Sequence, residues 1–280
     1  MTVLVFGKTG QVAHELRARP QVMALGRNQV DLSDPGSCAA AIASYSPSAV
    51  INAAAYTAVD RAEEEENLAT RINGDAPRAM AIACAQYDIP FVQLSTDYVF
   101  DGSGEAAWRP DDPPSPISAY GRSKLAGEDG VSRAGGRFAI LRTSWVFSPY
   151  GRNFVKTMLK LAETNYELRV IADQIGGPTP AWDLAQACLA IASQLEADPS
   201  KAGVYHLSGA PGVSWADFAR AIFQEAGLNH IVHNIPTSEY PSPAARPLNS
   251  RLDCRTTQEV FNITRPDWRA GLRATINQLA

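Results

Sequence analysis

The first half of the chain alternates short apolar runs with longer segments of helical character. The apolar runs predict strands at Val3 to Phe6, Val22 to Leu25, Ala49 to Ala53, Phe91 to Ser95 and Phe138 to Leu141. Nearly continuous apolar character is typical of parallel strands that are covered on both faces. Helices are predicted between them, around residues 11–19, 34–45, 67–87 and 118–130. This alternation predicts an α/β fold with a doubly wound parallel sheet and right-handed crossovers.

The regular alternation weakens after about residue 146. Further helices are predicted near residues 152–165, 182–195, 214–227 and 267–279, and the proline-rich stretches 110–116 and 236–247 are expected to be ordered loops. We expect a dinucleotide-binding domain of Rossmann type over residues 1–147, to which parts of 170–195 return. A smaller C-terminal substrate-binding lobe is expected mainly over residues 148–280.

The composition excludes several classes of partner. The net charge is -4 and no stripe of Lys and Arg is present, so we expect no nucleic-acid partner. No apolar run approaches the roughly 18 residues of a membrane helix, so we expect no membrane partner. The histidines form no zinc pattern, and no metal is predicted. The four cysteines, Cys38, Cys84, Cys188 and Cys254, are far apart and are expected to be reduced and buried in a cytoplasmic protein.

A glycine-rich turn follows the first predicted strand. The run is Gly7-Lys8-Thr9-Gly10-Gln11-Val12-Ala13. Glycines at 7 and 10 permit a tight turn and let the backbone approach a pyrophosphate. Tight packing alone also explains such a turn, but a strand before it and a helix after it favour dinucleotide binding. We therefore predict cofactor contacts from Gly7, Thr9, Gly10, Gln11 and Val12.

The end of the second strand bears on the choice of cofactor. Sites that prefer NAD usually carry a carboxylate about 20 residues after the glycine turn. This chain has Leu25-Gly26-Arg27-Asn28 there, and Arg27 could pair with a 2′-phosphate through its planar guanidinium. A solvated turn arginine is the alternative. Asp31 and Leu32 are expected near the adenine, and NADPH is favoured over NADH, which stays possible.

Tyr120 and Lys124 form a second motif. They open a predicted helix whose N-cap is expected to be Ser118. Spacing of four residues puts the phenol and the ammonium on one helix face. A fixed positive charge nearby is expected to lower the pKa of the tyrosine and make it usable in proton transfer. A surface pair without function is the alternative.

Polar and small residues follow the third and fourth strands. Thr96 and Asp97 end the fourth strand, and the third ends in Asn52 and the alanines of 53–55. Ligands of doubly wound sheets bind outside the carboxyl ends of the strands. We expect Thr96 to bind the substrate carbonyl or the Tyr120 hydroxyl. The alanines would let the cofactor approach the backbone.

Several strings of this sequence resemble a known family. Asn-Ala-Ala-Ala at 52–55, Thr-Ala-Val-Asp at 57–60, Ser-Thr-Asp-Tyr-Val-Phe at 95–100 and the motif at 120–124 resemble the extended short-chain dehydrogenases/reductases. Leu-Arg-Thr-Ser-Trp-Val-Phe at 141–147, Asn153-Phe154, Asp173-Gln174, Pro178-Thr179 and Arg-Pro-Leu-Asn-Ser-Arg-Leu at 246–252 narrow the resemblance to the dTDP-4-dehydrorhamnose reductases. The resemblance extends from Gly7 to Trp268.

The resemblance implies a reaction and roles for individual residues. Thr96, Tyr120 and Lys124 would be the catalytic set, with Tyr120 protonating the C4 oxygen of dTDP-4-dehydro-6-deoxy-L-lyxo-hexulose. NADPH would deliver hydride to C4, giving dTDP-L-rhamnose. The implied and inferred cofactor set is completed by Arg27, Asp31, Leu32, Ala53, Ala54, Ala55, Tyr56, Thr57 and Leu94, with Tyr120 and Lys124. The substrate set is Thr96, Asp97, Trp145, Asn153, Arg246 and Arg251, and for the two arginines a structural salt bridge is the alternative.

The resemblance also bears on assembly and leaves other functions open. Some relatives join subunits through magnesium bound by carboxylates of the first helix and the 180s. Here Glu15 is present but Trp182 occupies the second position. We therefore expect a monomer or a metal-independent homodimer. Another nucleotide-sugar reductase or epimerase of the same fold, or a non-catalytic nucleotide-binding regulatory subunit, are the alternative functions.

Overall fold

The computed structural model describes residues 2–279. Its strands are β1 Val3–Phe6, β2 Val22–Leu25, β3 Ala49–Asn52, β4 Phe91–Thr96, β5 Phe138–Thr143, β6 Val146–Phe147, β7 Glu167–Ile171, β8 Ile175–Gly176, β9 Thr179–Pro180, β10 Gly203–His206, β11 Val213–Ser214, β12 Ile231–Ile235 and β13 Asn249–Ser250. Its α-helices are α1 Gln11–Arg17, α2 Pro35–Tyr45, α3 Val59–Ala62, α4 Glu66–Thr70, α5 Ala76–Gln86, α6 Ala119–Ala134, α7 Phe154–Ala162, α8 Ala181–Ala197, α9 Trp215–Glu225, α10 Arg255–Phe261 and α11 Trp268–Leu279.

A six-stranded parallel sheet forms the centre of the fold, in the order β10-β5-β4-β3-β1-β2. Alternate residues of each strand face opposite layers. In β1, Val3 and Val5 pack with α1 and α8, whereas Leu4 and Phe6 pack with α2 and α5. Because both faces of the sheet are covered, β1 and the first residues of β3, β4 and β5 are apolar, and the polar residues of β3, β4 and β5 lie mainly toward their carboxyl ends. The predicted doubly wound α/β fold is confirmed.

The edge strand β10 was not predicted. Residues 203–206 form a short run that contains Gly203 and His206, and they pair in parallel with β5. Helix α8 also comes from the second half of the chain and covers one face of the sheet beside α1. The chain therefore returns to the central sheet twice after residue 147.

The helix predicted over 67–87 is one continuous stretch with an internal irregularity. Helices α4 and α5 flank a π-helical turn at Arg71–Asp75. Such turns occur most often at functional sites. Its buried Asn73 lies beside the cofactor region described below. Ser118 caps α6 as predicted, since its hydroxyl accepts a hydrogen bond from the amide of Gly121.

A second apolar core lies in the C-terminal part of the chain. It is formed by the apolar faces of α7, α9 and α11 with β7 and β12, around the fully buried Trp268 and Phe218.

Two predictions about the whole sequence can be compared with the structure. All four cysteines are free and buried, as predicted. Between residues 2 and 279, no helix combines the length and apolar character needed to cross a bilayer.

Candidate active site

The carboxyl ends of the central strands surround a cavity of about 970 Å³. That size lies at the upper end of the range of ligand pockets. All the residues predicted to bind the cofactor line it: Gly7, Thr9, Gly10, Gln11, Val12, Arg27, Asp31, Leu32, Ala53, Ala54, Ala55, Tyr56, Thr57, Leu94, Tyr120 and Lys124. The structure thus brings together segments that are up to about half the chain apart.

The glycine turn forms one wall of the cavity. Gly7 has φ +115°, a conformation that L side chains rarely adopt, and a Cβ there would lie 3.3 Å from the backbone of Ala53. The turn therefore needs glycine at this position. Gln11 is tied down by its side chain, which donates to the carbonyl of Val146 at 3.0 Å. This wall suits an elongated dinucleotide, because the glycines have no side chains and the ligand could approach the backbone closely.

The end of β2 places Arg27 and Asp31 in the same cavity. Arg27 Nε donates to Asp31 Oδ2 at 3.2 Å, and both side chains are exposed. The amide of Ser33 and then Arg27 lower the pKa of the Asp31 carboxyl. Lys8, which the motif analysis did not single out, also lines this end. Its aliphatic carbons lie over Gly26, where a Cβ would meet Lys8 Cδ at 3.4 Å.

Buried amides fix the wall after β3. Asn52 Nδ2 donates to Gln93 at 2.9 Å. Asn73, from the π-helical turn, accepts from the amide of Tyr56 at 2.8 Å and donates to its carbonyl at 3.0 Å. It also donates to the hydroxyl of Ser123 on α6 at 3.0 Å. One side chain thereby ties the cofactor-lining backbone to the helix that carries Tyr120 and Lys124.

Thr96 and Asp97 lie buried beside Tyr120. The Thr96 hydroxyl donates to Asp97 Oδ1 at 3.1 Å, and Asp97 Oδ2 has no partner in the described chain. Burial raises the pKa of Asp97 to about 6, against hydrogen bonds from Ser250 and Thr96. A buried carboxylate oxygen without a partner is costly, which is typical of a group kept for a ligand. Ser250 lies within the 246–252 string that carries the family resemblance, but it was not predicted to be a site residue.

The prediction that Lys124 lowers the pKa of Tyr120 is wrong. Burial and the neighbouring Asp97 raise the pKa of Tyr120 to about 12, and a hydrogen bond from Thr96 opposes them only in part. The phenol is therefore protonated at neutral pH. Low dielectric disfavours the phenolate more than the sequence spacing could indicate.

Lys124 lies in the interior, 3% exposed. Its ammonium donates to the carbonyl of Leu94 at 2.6 Å. Burial lowers the pKa of Lys124 to about 8, and the carboxylate of Glu128 acts in the opposite direction. Tyr120 packs edge to face against Tyr98, with ring centroids 5.5 Å apart. The pair is part of the interior of the cavity and is not a surface pair.

Trp145 adopts a strained backbone conformation just after β5. Its φ is +50°, which is rare for a bulky residue and clusters at functional sites. The indole stacks on Trp215 with centroids 3.5 Å apart. It also covers Gly176, where a Cβ would lie 2.7 Å from the ring. Trp215 also packs against the second apolar core, so it supports a predicted substrate residue from the interior side.

Asn153, predicted to bind the substrate, has a structural role at the start of α7. Its amide donates to Gln11 at 2.9 Å and to the carbonyl of Ser148 at 2.7 Å. Its oxygen accepts from the amide of Lys156 and caps α7. Because the side chain is committed to these groups, its hydrogen bonds favour the role of a helix cap over that of a substrate contact.

The two arginines of the 246–252 segment differ. Arg246 pairs with Asp60 of α3, Nη2 to Oδ2 at 2.8 Å, which is the structural salt bridge held as the alternative. Arg251 donates to the Asn249 side chain at 3.0 Å and forms no salt bridge among residues 2–279. Neither lines the cavity described above. Arg251 neighbours Ser250, which acts to lower the pKa of Asp97.

Comparison with known proteins places these features in context. The sequence matches the family described as the RmlD substrate binding domain over residues 1–280. A dTDP-4-dehydrorhamnose reductase of Sinorhizobium fredii is 44% identical over 286 residues, covering 99% of this chain and 97% of the relative. That of Escherichia coli K12 is 41% identical over 295 residues, covering 100% and 98%.

Solved structures agree. A dTDP-4-dehydrorhamnose reductase of Clostridium acetobutylicum superposes with a TM-score of 0.94 at 34% identity, covering 100% of this chain and 99% of the other. The reductase of Bacillus anthracis in complex with NADP has a TM-score of 0.91 at 33% identity, covering 99% and 100%. The match extends over whole chains, so both the sheet and the C-terminal core are shared.

Proposed function

Because this chain belongs to the RmlD substrate-binding-domain family, we propose that it is an NADPH-dependent dTDP-4-dehydrorhamnose reductase. It would reduce the C4 ketone of dTDP-4-dehydro-6-deoxy-L-lyxo-hexulose to dTDP-L-rhamnose. The observation that carries the proposal is the meeting of Tyr120 and Lys124 with the glycine turn in one cavity. Relatives of the same length carry this activity in their names.

The proposed chemistry uses Tyr120 as an acid. When bound, NADPH supplies the hydride that reduces the C4 carbon. The O–H bond of Tyr120 breaks as the C4 oxygen takes its proton, so a carbonyl becomes an alcohol and a phenolate remains until solvent reprotonates it. A phenol with a pKa of about 12 is fully protonated before the step, as a donor must be.

The buried ammonium of Lys124 favours this step. Negative charge develops on the Tyr120 oxygen during proton transfer. The ammonium of Lys124, one turn later on the same face of α6, would stabilise that charge. Charge stabilisation in a buried site is worth more than in water. Thr96 would orient the phenol and the substrate oxygen, since its hydroxyl bonds to Asp97 and lowers the Tyr120 pKa.

The cavity chemistry favours NADPH. Lys8 and Arg27 line the end of the cavity near β2, where an adenosine ribose would lie, and Arg27 is paired with Asp31. A relative binds NADP. We place the sugar beyond Tyr120, against Asp97 and the indole of Trp145, and keep the diphosphate contact of Arg251 as part of the proposal.

We also propose a cytoplasmic protein that is a monomer or a metal-independent homodimer. Four buried free cysteines are compatible with a reducing compartment. Trp182, where a second magnesium-binding carboxylate would be needed, is half exposed and packs under the guanidinium of Arg19 at 4.2 Å. Sedimentation with and without a chelator tests the proposed assembly, and a metal-dependent dimer would reject it.

The test compares wild type with Tyr120→Phe. NADPH oxidation is followed with dTDP-4-dehydro-6-deoxy-L-lyxo-hexulose, and NADPH binding is measured by fluorescence in the same preparations. We expect the variant to lose about 100-fold or more in kcat, the usual contribution of a general acid, with NADPH affinity nearly unchanged. A folded wild type without turnover rejects the proposed activity, and a fully active variant rejects Tyr120 as the donor.

A further inference from the structure

Three polar residues occupy one face of α6. Tyr120, Lys124 and Glu128 follow each other at intervals of four residues, so they lie along the same side of the helix. Lys124 and Glu128 are both 3% exposed. The proposed reaction uses the first two residues and leaves the third without a role.

Strand β4 supplies a partner for two of the three. The carbonyl of Leu94 accepts from Lys124 at 2.6 Å, and the hydroxyl of Ser95 donates to Glu128 Oε1 at 2.5 Å. Two consecutive strand residues thus bind two successive turns of α6. A slip of the helix along the strand would break both contacts together.

Arg142 of β5 saturates the carboxylate of Glu128. Its Nε lies 3.0 and 3.1 Å from the two carboxylate oxygens, and Nη2 lies 2.6 Å from Oε2. Both side chains of the pair are 4% exposed. The paired geometry is bidentate, which is the strongest arrangement of this kind.

Arg142 is itself fixed from the far side. Nη1 donates to the carbonyl of Pro110 at 3.1 Å and lies 3.4 Å from His206 Nε2, and the guanidinium lies over the Phe100 ring at 5.0 Å. Burial and then Arg142 lower the pKa of His206 to about 3, so that ring stays neutral. Hydrogen bonds on both sides of the Arg142 guanidinium therefore hold the ion pair in one position.

A buried ion pair is an expensive way to hold a helix on a sheet. Well-packed apolar residues of similar volume are often as stabilising or more so. Lys124 is the only other buried cation on this face of α6, and Glu128 is the carboxylate that acts on it. A role for the Glu128 carboxylate in stabilising the ammonium of Lys124 explains why a charged pair stands here.

We propose that Glu128, held by Arg142, is a positioning residue for the catalytic pair: it fixes the register of α6 on β4 and keeps the Lys124 side chain an ammonium. The inference rests on the proposed function, because it gives Lys124 a task in catalysis. Glu128 does not touch substrate or cofactor in this proposal. It acts through Lys124 and through the position of Tyr120.

The charged and titratable groups around this face are few. Tyr120, Lys124 and Glu128 come from α6, Asp97 and Tyr98 follow β4, Arg142 comes from β5 and His206 from β10. Glu63 and Glu66 meet the other side of α6, at the Ala119 amide and at Arg122. Asp97 acts on Tyr120, whereas Glu128 is the carboxylate that acts on Lys124. Arg142 is paired with Glu128, so substitution of either residue changes the charge near Lys124.

Two substitutions break the same ion pair with opposite electrostatic effects. Glu128→Gln removes a negative charge beside Lys124, so the basic limb of the kcat/KM profile should move to lower pH by about one unit. Arg142→Met removes the positive charge that neutralises Glu128, so the basic limb should move to higher pH. Arg142→Lys keeps the cation and should leave the limb near that of wild type.

A purely structural role predicts a different pattern. Both substitutions loosen the same contact, so kcat and thermal stability would fall while the basic limb stays in place or moves the same way. That result overturns the proposal. Should Arg142→Met fail to fold, the comparison of Glu128→Gln with Arg142→Lys decides. A limb that moves down only in Glu128→Gln supports the proposal, and an unmoved limb rejects it.

A measurement without turnover separates this inference from the proposed function. The chain has five lysines, so the Nζ resonance of Lys124 can be assigned by ¹⁵N NMR with Lys124→Met as the reference. Its titration in the ligand-free protein should shift in the same directions in the variants. If the Lys124 titration shifts as expected but the wild type shows no turnover, the electrostatic role of Glu128 is supported and the proposed activity is rejected. If the wild type turns over but the titration does not shift, the activity is supported and the role of Glu128 is rejected.

Discussion

Gly127 on α6 offers a sharp test of how the cofactor wall is held. An ideal Cβ at this position would lie 2.1 Å from the carbonyl oxygen of Asn73 and 3.2 Å from its carbon. Because real Cβ contacts do not fall below 3.0 Å, Gly127→Ala must separate α6 from the π-helical turn by about 1 Å. Asn73 also holds the backbone of Tyr56, so this shift reaches the cavity.

The expected magnitude follows from two opposed effects. Forcing an extra methyl into a packed interface costs about 1–3 kcal/mol. Replacing glycine by alanine inside a helix returns up to about 1 kcal/mol. The free energy of unfolding should therefore fall by about 1–2 kcal/mol, which lowers Tm by about 2–4 °C in a chain of this length. NADPH affinity should fall in parallel.

The assay is thermal unfolding together with NADPH binding, and Gly36→Ala is the matched control. A Cβ at Gly36 in α2 meets only Asp34 Oδ1, at 3.4 Å, which is an ordinary contact. This control should be as stable as wild type or slightly more so, with unchanged NADPH binding. If Gly127→Ala behaves like the control, the close packing of α6 on Asn73 does not hold the site.

Three further predictions concern charge and burial. Arg27→Ala should weaken NADPH about tenfold more than NADH, the scale of one charge-assisted hydrogen bond; equal losses measured by fluorescence titration would show that Arg27 does not read the 2′-phosphate. Asp97 has a folded-state pKa raised to about 6, so its ionisation opposes folding above the unfolded pKa near 4. Asp97→Asn should thus raise stability at pH 8 by up to about 3 kcal/mol, lose that advantage as the pH falls to about 4, and lower kcat; chemical denaturation at both pH values checks the sign, and a constant difference contradicts it. The four buried thiols, with burial raising the pKa of Cys38 to about 11, should resist a disulfide reagent until the protein unfolds, and fast labelling of any thiol in the native protein would refute their burial.

Local patterns determined much of this protein. The strands of the first half, the glycine turn, the N-cap Ser118 and the Tyr120–Lys124 spacing depend on residues close in sequence, and each has a local physical cause. The meeting of strand ends at one edge follows from parallel topology alone. For that reason the residues of the cavity wall could be predicted before their distances were known.

Tertiary structure decided the rest. Strand β10 is short and carries His206 inside the fold, so only its pairing with β5 makes it a strand. The amide of Asn153 is held by Gln11, 142 positions away, which accepts a hydrogen bond from it. The pKa of Tyr120 rises because burial and the carboxylate of Asp97 disfavour the phenolate. The bond of Glu128 to Arg142 likewise joins a helix to a strand. Each outcome depends on desolvation and on partners far along the chain, and periodicity and spacing carry no information about either.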